Sequence, residues 1–223
     1  MSEQPSPARA SNTERIVFAV AVALIVVAGV GGGLLLPGTG KKIPPPLPEL
    51  APPLPLPRPM VDFQLIDTTG RSVSRADLSN QFAIVNFVFS SCSLRCLAVN
   101  DRMAELQRRL TNSPDVTLVS LTLDPRTDTP EVLADFAKRY GADPTRWWFL
   151  TGSKAELYPL IENSFIAKSP DLDGIIPGGF MHTDRIMLVD RAGTVCASFD
   201  GLAPYAADLI LADLERRRAA RKP

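Results

Sequence analysis

Residues 82–96 read FAIVNFVFSSCSLRC. Phe82 to Phe89 is apolar except at Asn86, which is the pattern of a central strand buried on both faces. A helix is expected next, from about Leu94 to Leu110, because Leu97, Met103, Leu106 and Leu110 recur at helical spacings. Cys92 and Cys96 therefore stand where the first buried strand hands over to the first helix. Within one helical turn, their i,i+4 spacing puts both sulfurs on one face. A helix N-terminus stabilises anions and so favours thiolates, and Arg95 adds positive charge. Two adjacent thiolates form a disulfide or bind a soft metal, but alone they make an incomplete metal site.

On either side of this stretch the chain alternates strand and helix. Phe63 to Asp67 alternates like a strand, Thr68-Thr69-Gly70 turns, and Ser72–Ser74 returns as the second arm of a hairpin. Val116 to Thr122 (VTLVSLT) is the next strand. Thr129-Pro130-Glu131 starts a helix with an N-cap, a proline at the first helical position and an acidic residue; it runs to about Tyr140. Trp147 to Leu150 is a short strand that sends its two adjacent tryptophans to opposite faces. Ser153 to Ser164 is helical, Arg185 to Asp190 and Thr194 to Phe199 pair across the turn Arg191-Ala192-Gly193, and Pro204 to Arg218 closes the chain as a helix. Parallel strands joined by helices and ending in an antiparallel hairpin fit an α/β, thioredoxin-like sheet flanked by helices and preceded by an N-terminal hairpin.

The residue inventory restricts the chemistry. The chain has 223 residues, 24 basic and 24 acidic side chains, 21 prolines, three cysteines and one histidine. Zero net charge argues against a nucleic-acid partner, and five of the basic residues are gathered at the C-terminal helix end, where they complement its dipole. Three cysteines are too few for a disulfide scaffold, and one histidine excludes a HExxH protease or a His-rich zinc site. That histidine, His182, lies directly before the strand Arg185 to Asp190. In a thioredoxin-like sheet the loop entering that strand faces the start of the first helix, so Cys92, Cys96 and His182 are expected to meet. Two thiolates and one imidazole suit Cu(I) in trigonal geometry, and hold Cu(II) with additional ligands. Cys196, in the strand TVCASF, reads as a small hydrophobe.

The first 60 residues are not part of the domain in this reading. Residues 1–15 form a short tail. Ile16 to Leu36 is a 21-residue run without a charge, which as a helix spans about 31 Å, the thickness of a bilayer core. A cleavable signal peptide has a shorter apolar core, so a retained transmembrane anchor is favoured. Gly29 and Gly33 make a GxxxG spacing that allows weak pairing of two such helices. Residues 37–60 hold ten prolines and read as a semi-rigid polyproline II linker, leaving 61–223 as the folded domain.

Together these motifs resemble the Sco/SenC copper chaperones over residues 61 to about 215. The resemblance is carried by FQLIDTTGRSV and ADLSNQFAIVNFVFSSC, by Cys92-x-x-x-Cys96, by LDPRTDTP at 123–130, by WFLTG at 148–152 and by His182-Thr183 before a strand. It implies copper bound by Cys92, Cys96 and His182, and delivery of that copper to the dinuclear centre of cytochrome c oxidase subunit II. It also implies a single-pass membrane protein whose domain lies on the periplasmic or equivalent side. The family's acidic segment implies an accessory role for Asp124 and Asp128 in copper transfer or partner contact. The competing role is local: Asp124 shaping a turn and Asp128 beginning a helix. The family's proline after each cysteine is replaced here by Ser93 and Leu97, which removes a constraint on the loop.

A thiol–disulfide oxidoreductase is the other functional class that the paired cysteines permit. Against it, the spacing is CxxxC rather than CxxC, and Met181-His182-Thr183-Asp184 stands where thioredoxins carry a cis-proline. Phe89 replaces the threonine of a peroxiredoxin motif. The chaperone reading needs His182 and no substrate turnover; the oxidoreductase reading needs cysteine cycling and little from His182.

Overall fold

The computed structural model describes residues 55–91, 95–165 and 184–220, with Arg95 and Cys96 described by their backbone alone. The expected tail, the anchor at Ile16–Leu36, Gly29 and Gly33, and all but the last six residues of the linker lie outside the described residues, as do Cys92 and His182. Among the described residues no helix is long and apolar enough to cross a membrane.

The apolar runs form the middle of the sheet. Strand β4 (Phe82–Val88) and β5 (Val116–Thr122) are buried at every position and pair in parallel from Phe82↔Val116 to Val88↔Thr122. Strand β6 (Trp147–Thr151) extends the sheet in parallel beside β5. On the other side of β4, strand β7 (Arg185–Val189) runs antiparallel, followed by its hairpin partner β8 (Thr194–Asp200). That hairpin turns at Gly193, whose φ of +75° an L side chain rarely adopts.

The early hairpin, β2 (Gln64–Asp67) and β3 (Ser72–Ser74), joins the far side of β6 in antiparallel register, Ile66↔Thr151. Among the described residues, with β1 at Arg58–Pro59, the order is β1-β8-β7-β4-β5-β6-β2-β3, a mixed thioredoxin-like sheet. Strand β1 (Arg58–Pro59) was not anticipated, because it falls in the proline-rich stretch read as linker to residue 60. It pairs with β8 at the sheet's edge, where a proline costs no ladder hydrogen bond to a further strand.

Among the described residues four α-helices cover the two faces: α1 (Arg95–Arg109), α2 (Pro130–Arg139), α3 (Lys154–Ser164) and α4 (Ala206–Ala219). Alternation along β4 assigns its side chains. Ala83, Val85 and Phe87 join the cluster that contains Leu157, Leu160 and Ile161 of α3. Phe82, Ile84 and Val88 join the opposite cluster, with Met103 of α1, Phe136 of α2 and Ile210 of α4. Helix α2 starts as its sequence dictates: the Thr129 hydroxyl accepts the Val132 N–H and Pro130 occupies the first turn. Trp147 is 1% exposed, whereas its neighbour Trp148 is half-buried and stacks under the Arg71 guanidinium at 4.6 Å. Helix α4 begins two residues later than Pro204, after a turn that occupies residues 201–205.

Candidate metal centre

Three parallel strands finish at one edge of the sheet. The C-terminal ends of β4, β5 and β6 lie there, and β7, antiparallel to β4, begins there. Cys92 follows the end of β4 by four residues, and His182 precedes the start of β7 by three. Those two strands are hydrogen-bonded neighbours. The loop carrying Asp124 and Asp128 leaves β5, the strand on the other side of β4. Loops at the carboxyl ends of parallel strands are where open α/β sheets bind ligands.

The descent from β4 into α1 is held by buried polar groups at both ends. At the first end, Asp128 is fully buried and its carboxylate accepts hydrogen bonds from the Ser90 N–H at 3.1 Å, from the Ser90 hydroxyl and from the Thr122 hydroxyl. The Leu123 N–H donates to the Val88 carbonyl at 2.8 Å as the last link between β4 and the β5 strand end. Beyond it the chains diverge, and Asp128 replaces the ladder. Asp128 is thus not the cap that begins α2; Thr129 is.

Asp124 shapes the turn. Its carbonyl accepts from the Thr127 and Asp128 N–H groups, and its own N–H donates to the Thr122 hydroxyl at 3.0 Å.

At the second end, a buried polar chain ties α1 to the sheet. The Trp147 indole N–H donates to the Ser120 hydroxyl at 2.8 Å, Ser120 donates to the Asn86 side-chain oxygen Oδ1 at 2.6 Å, and the Asn86 side-chain amide donates to Asn100 Oδ1 at 3.0 Å. Asn100 lies one helical turn after Cys96. Asn86 was visible in the sequence as the polar exception in an apolar strand, and a buried amide needs partners. Ser90 carried no such signal, because its partner lies 38 residues away in sequence.

Cys92, the Cys96 side chain and His182 lie outside the described residues. Among the described residues no group of three or more His, Cys, Asp or Glu side chains is placed to hold a metal. The donor set itself, two sulfurs and an imidazole, has the softness that suits copper, and the two segments carrying it leave the sheet side by side. Cys196 is separate. Its half-buried thiol donates to the Leu188 carbonyl at 3.3 Å, and burial pushes its pKa up from 9.0 to about 11, against the pull of Arg217. It is therefore protonated at neutral pH and a poor nucleophile or ligand.

Known proteins resemble this chain in sequence and fold. The family profile described as SCO1/SenC matches residues 55–218. The chain is 29% identical over 157 residues to the SCO1 protein homolog of Bacillus subtilis (strain 168), covering 69% of this chain and 79% of that protein. The structure of BsSco, described as a Sco-family cytochrome c oxidase assembly protein with a disulfide switch, matches with a TM-score of 0.62 at 28% identity, covering 73% of this chain and 94% of that one. Bradyrhizobium japonicum ScoI, solved with copper bound, matches with a TM-score of 0.56 at 26% identity, covering 70% of this chain and 97% of that one. With the profile spanning every strand of the sheet, the chain belongs to the SCO1/SenC family.

Proposed function

We propose that this protein is a copper-binding metallochaperone of cytochrome c oxidase assembly. In this reading it holds the ion through Cys92, Cys96 and His182 and hands it to the dinuclear copper centre of cytochrome c oxidase subunit II. The observation that carries the reading is topological: the cysteine segment leaves β4 and the histidine segment enters its direct neighbour β7 at the same sheet edge. Family membership and the copper bound to a relative of 26% identity support it.

The copper is cargo. Transfer is an exchange of ligands, in which a donor of the recipient replaces one protein ligand at a time, and no electron need move. Asp124, on the loop beside the site, is the accessory candidate for partner contact. The run Ile16–Leu36 anchors the chain in this proposal, with Gly29 and Gly33 allowing weak self-association. The proline-rich segment spaces the domain from the membrane on its non-cytoplasmic side.

The test compares copper binding by the detergent-solubilised full chain and its His182→Ala variant, alongside turnover of a model disulfide with dithiothreitol as reductant. One copper per chain is expected, with affinity falling at least about tenfold in the variant and negligible turnover in both. Unchanged affinity in His182→Ala together with fast turnover would replace this reading with the oxidoreductase.

A further inference from the structure

We infer that Asp128 is a positioning residue for the metal centre: through Ser90 it fixes the point at which the cysteine-bearing segment leaves the sheet. The inference rests on the proposed copper site. Its own observation is the geometry around Ser90, Thr122 and Asp128.

A carboxyl that is 0% exposed stays in a folded core only when its oxygens are satisfied. Both oxygens of Asp128 are occupied. Oδ1 accepts from the Ser90 backbone at 3.1 Å and from its hydroxyl, while Oδ2 lies 3.3 Å from the same N–H and accepts the Thr122 hydroxyl. A group so engaged acts as a bracket and not as a ligand. It joins the last residue pair of the β4–β5 ladder, Val88↔Thr122, to the first polar residue beyond it.

Ser90 is two residues from Cys92, and two residues reach at most about 7 Å, so holding Ser90 in place confines Cys92 to within that distance of it. The outer partners of metal ligands commonly change affinity about 10–100-fold when removed.

The test uses the full chain in detergent with Asp128→Ala, Asp128→Asn, Ser90→Ala and a control, Thr117→Val. The control deletes a side-chain hydrogen bond to Gln81 at the opposite sheet edge. Copper(I) affinity is read by competition with a chromogenic chelator, and amide hydrogen exchange across residues 90–96 is read in metal-free protein, with thermal unfolding as the measure of global stability. Asp128→Ala is expected to weaken copper binding at least about tenfold and to speed exchange at 90–96 by a similar factor. Ser90→Ala should weaken binding less, since the backbone donor survives. Asp128→Asn, which keeps an acceptor for Ser90, should stay within about threefold of the parent. Thr117→Val should leave affinity and the 90–96 exchange unchanged.

Affinity and exchange in Asp128→Ala within twofold of the parent would overturn the inference, as would an equal affinity loss in Thr117→Val. A parent chain that binds no copper would sink the proposed site instead; the exchange data would then still decide whether Asp128 brackets the loop.

Discussion

Phe87→Ala is expected to remove about 4 kcal/mol of stability. Phe87 is 0% exposed in the middle strand of the sheet, and its ring meets Phe165 edge-to-face with centroids 5.7 Å apart. Truncation loses the transfer free energy of the ring, leaves a void that packed neighbours only partly fill, and breaks the aromatic pair. For a domain of this size that corresponds to a fall in melting temperature of roughly 10–15 °C. The consequence extends to function. Phe87 lies five residues before Cys92, and Phe165 caps the end of α3 at the start of the segment that carries His182. The pair therefore ties the strand that leads to Cys92 to the end of α3 through the core. Thermal unfolding followed by circular dichroism checks this; a loss below about 1 kcal/mol would mean that the ring is not packed as described.

Asn86→Leu should cost about 3 kcal/mol although it raises the hydrophobicity of the strand. The two side chains are similar in shape, so little of the loss is cavity. What is lost is the middle of the chain Trp147–Ser120–Asn86–Asn100, all of whose members are buried. The Ser120 hydroxyl loses its acceptor and the Asn100 carbonyl oxygen loses the Asn86 donor, in a region where water does not replace them. Because Asn100 sits on α1 one turn after Cys96, the variant should also weaken copper binding by loosening the helix against the sheet. Urea unfolding gives the first number. A variant as stable as the parent would show that the polar chain is dispensable and that apolar packing alone seats α1.

These expectations follow unequally from sequence and from structure. The strongly apolar run at 82–89 announced a strand covered on both faces, 116–122 read as the strand after it, and the structure buries both throughout. Thr129-Pro130-Glu131 announced a helix start that the Thr129 cap realises. Such features are local: they depend on side-chain period and on the geometry of a few adjacent residues. Features built from distant residues were not legible. Nothing in Ser72–Ser74 or Gln64–Asp67 said that their hairpin would join β6, and the proline content at 58–59 spoke against any strand there. The choice between helix start and site element for Asp128 depended on Ser90, a residue with no distinguishing pattern of its own. Of the candidate site, the sequence showed the donor types and their order, and the structure adds that the strands flanking them are neighbours.

The central claim is a copper ion held by two sulfurs and one imidazole. X-ray absorption at the copper edge, recorded on the full chain loaded with one equivalent of Cu(I), tests it most directly. The account predicts two sulfur scatterers and one histidine nitrogen, with the nitrogen lost in His182→Ala and one sulfur lost in Cys92→Ser. A first coordination sphere of oxygen and nitrogen alone, or one that is unaltered by either substitution, would contradict it.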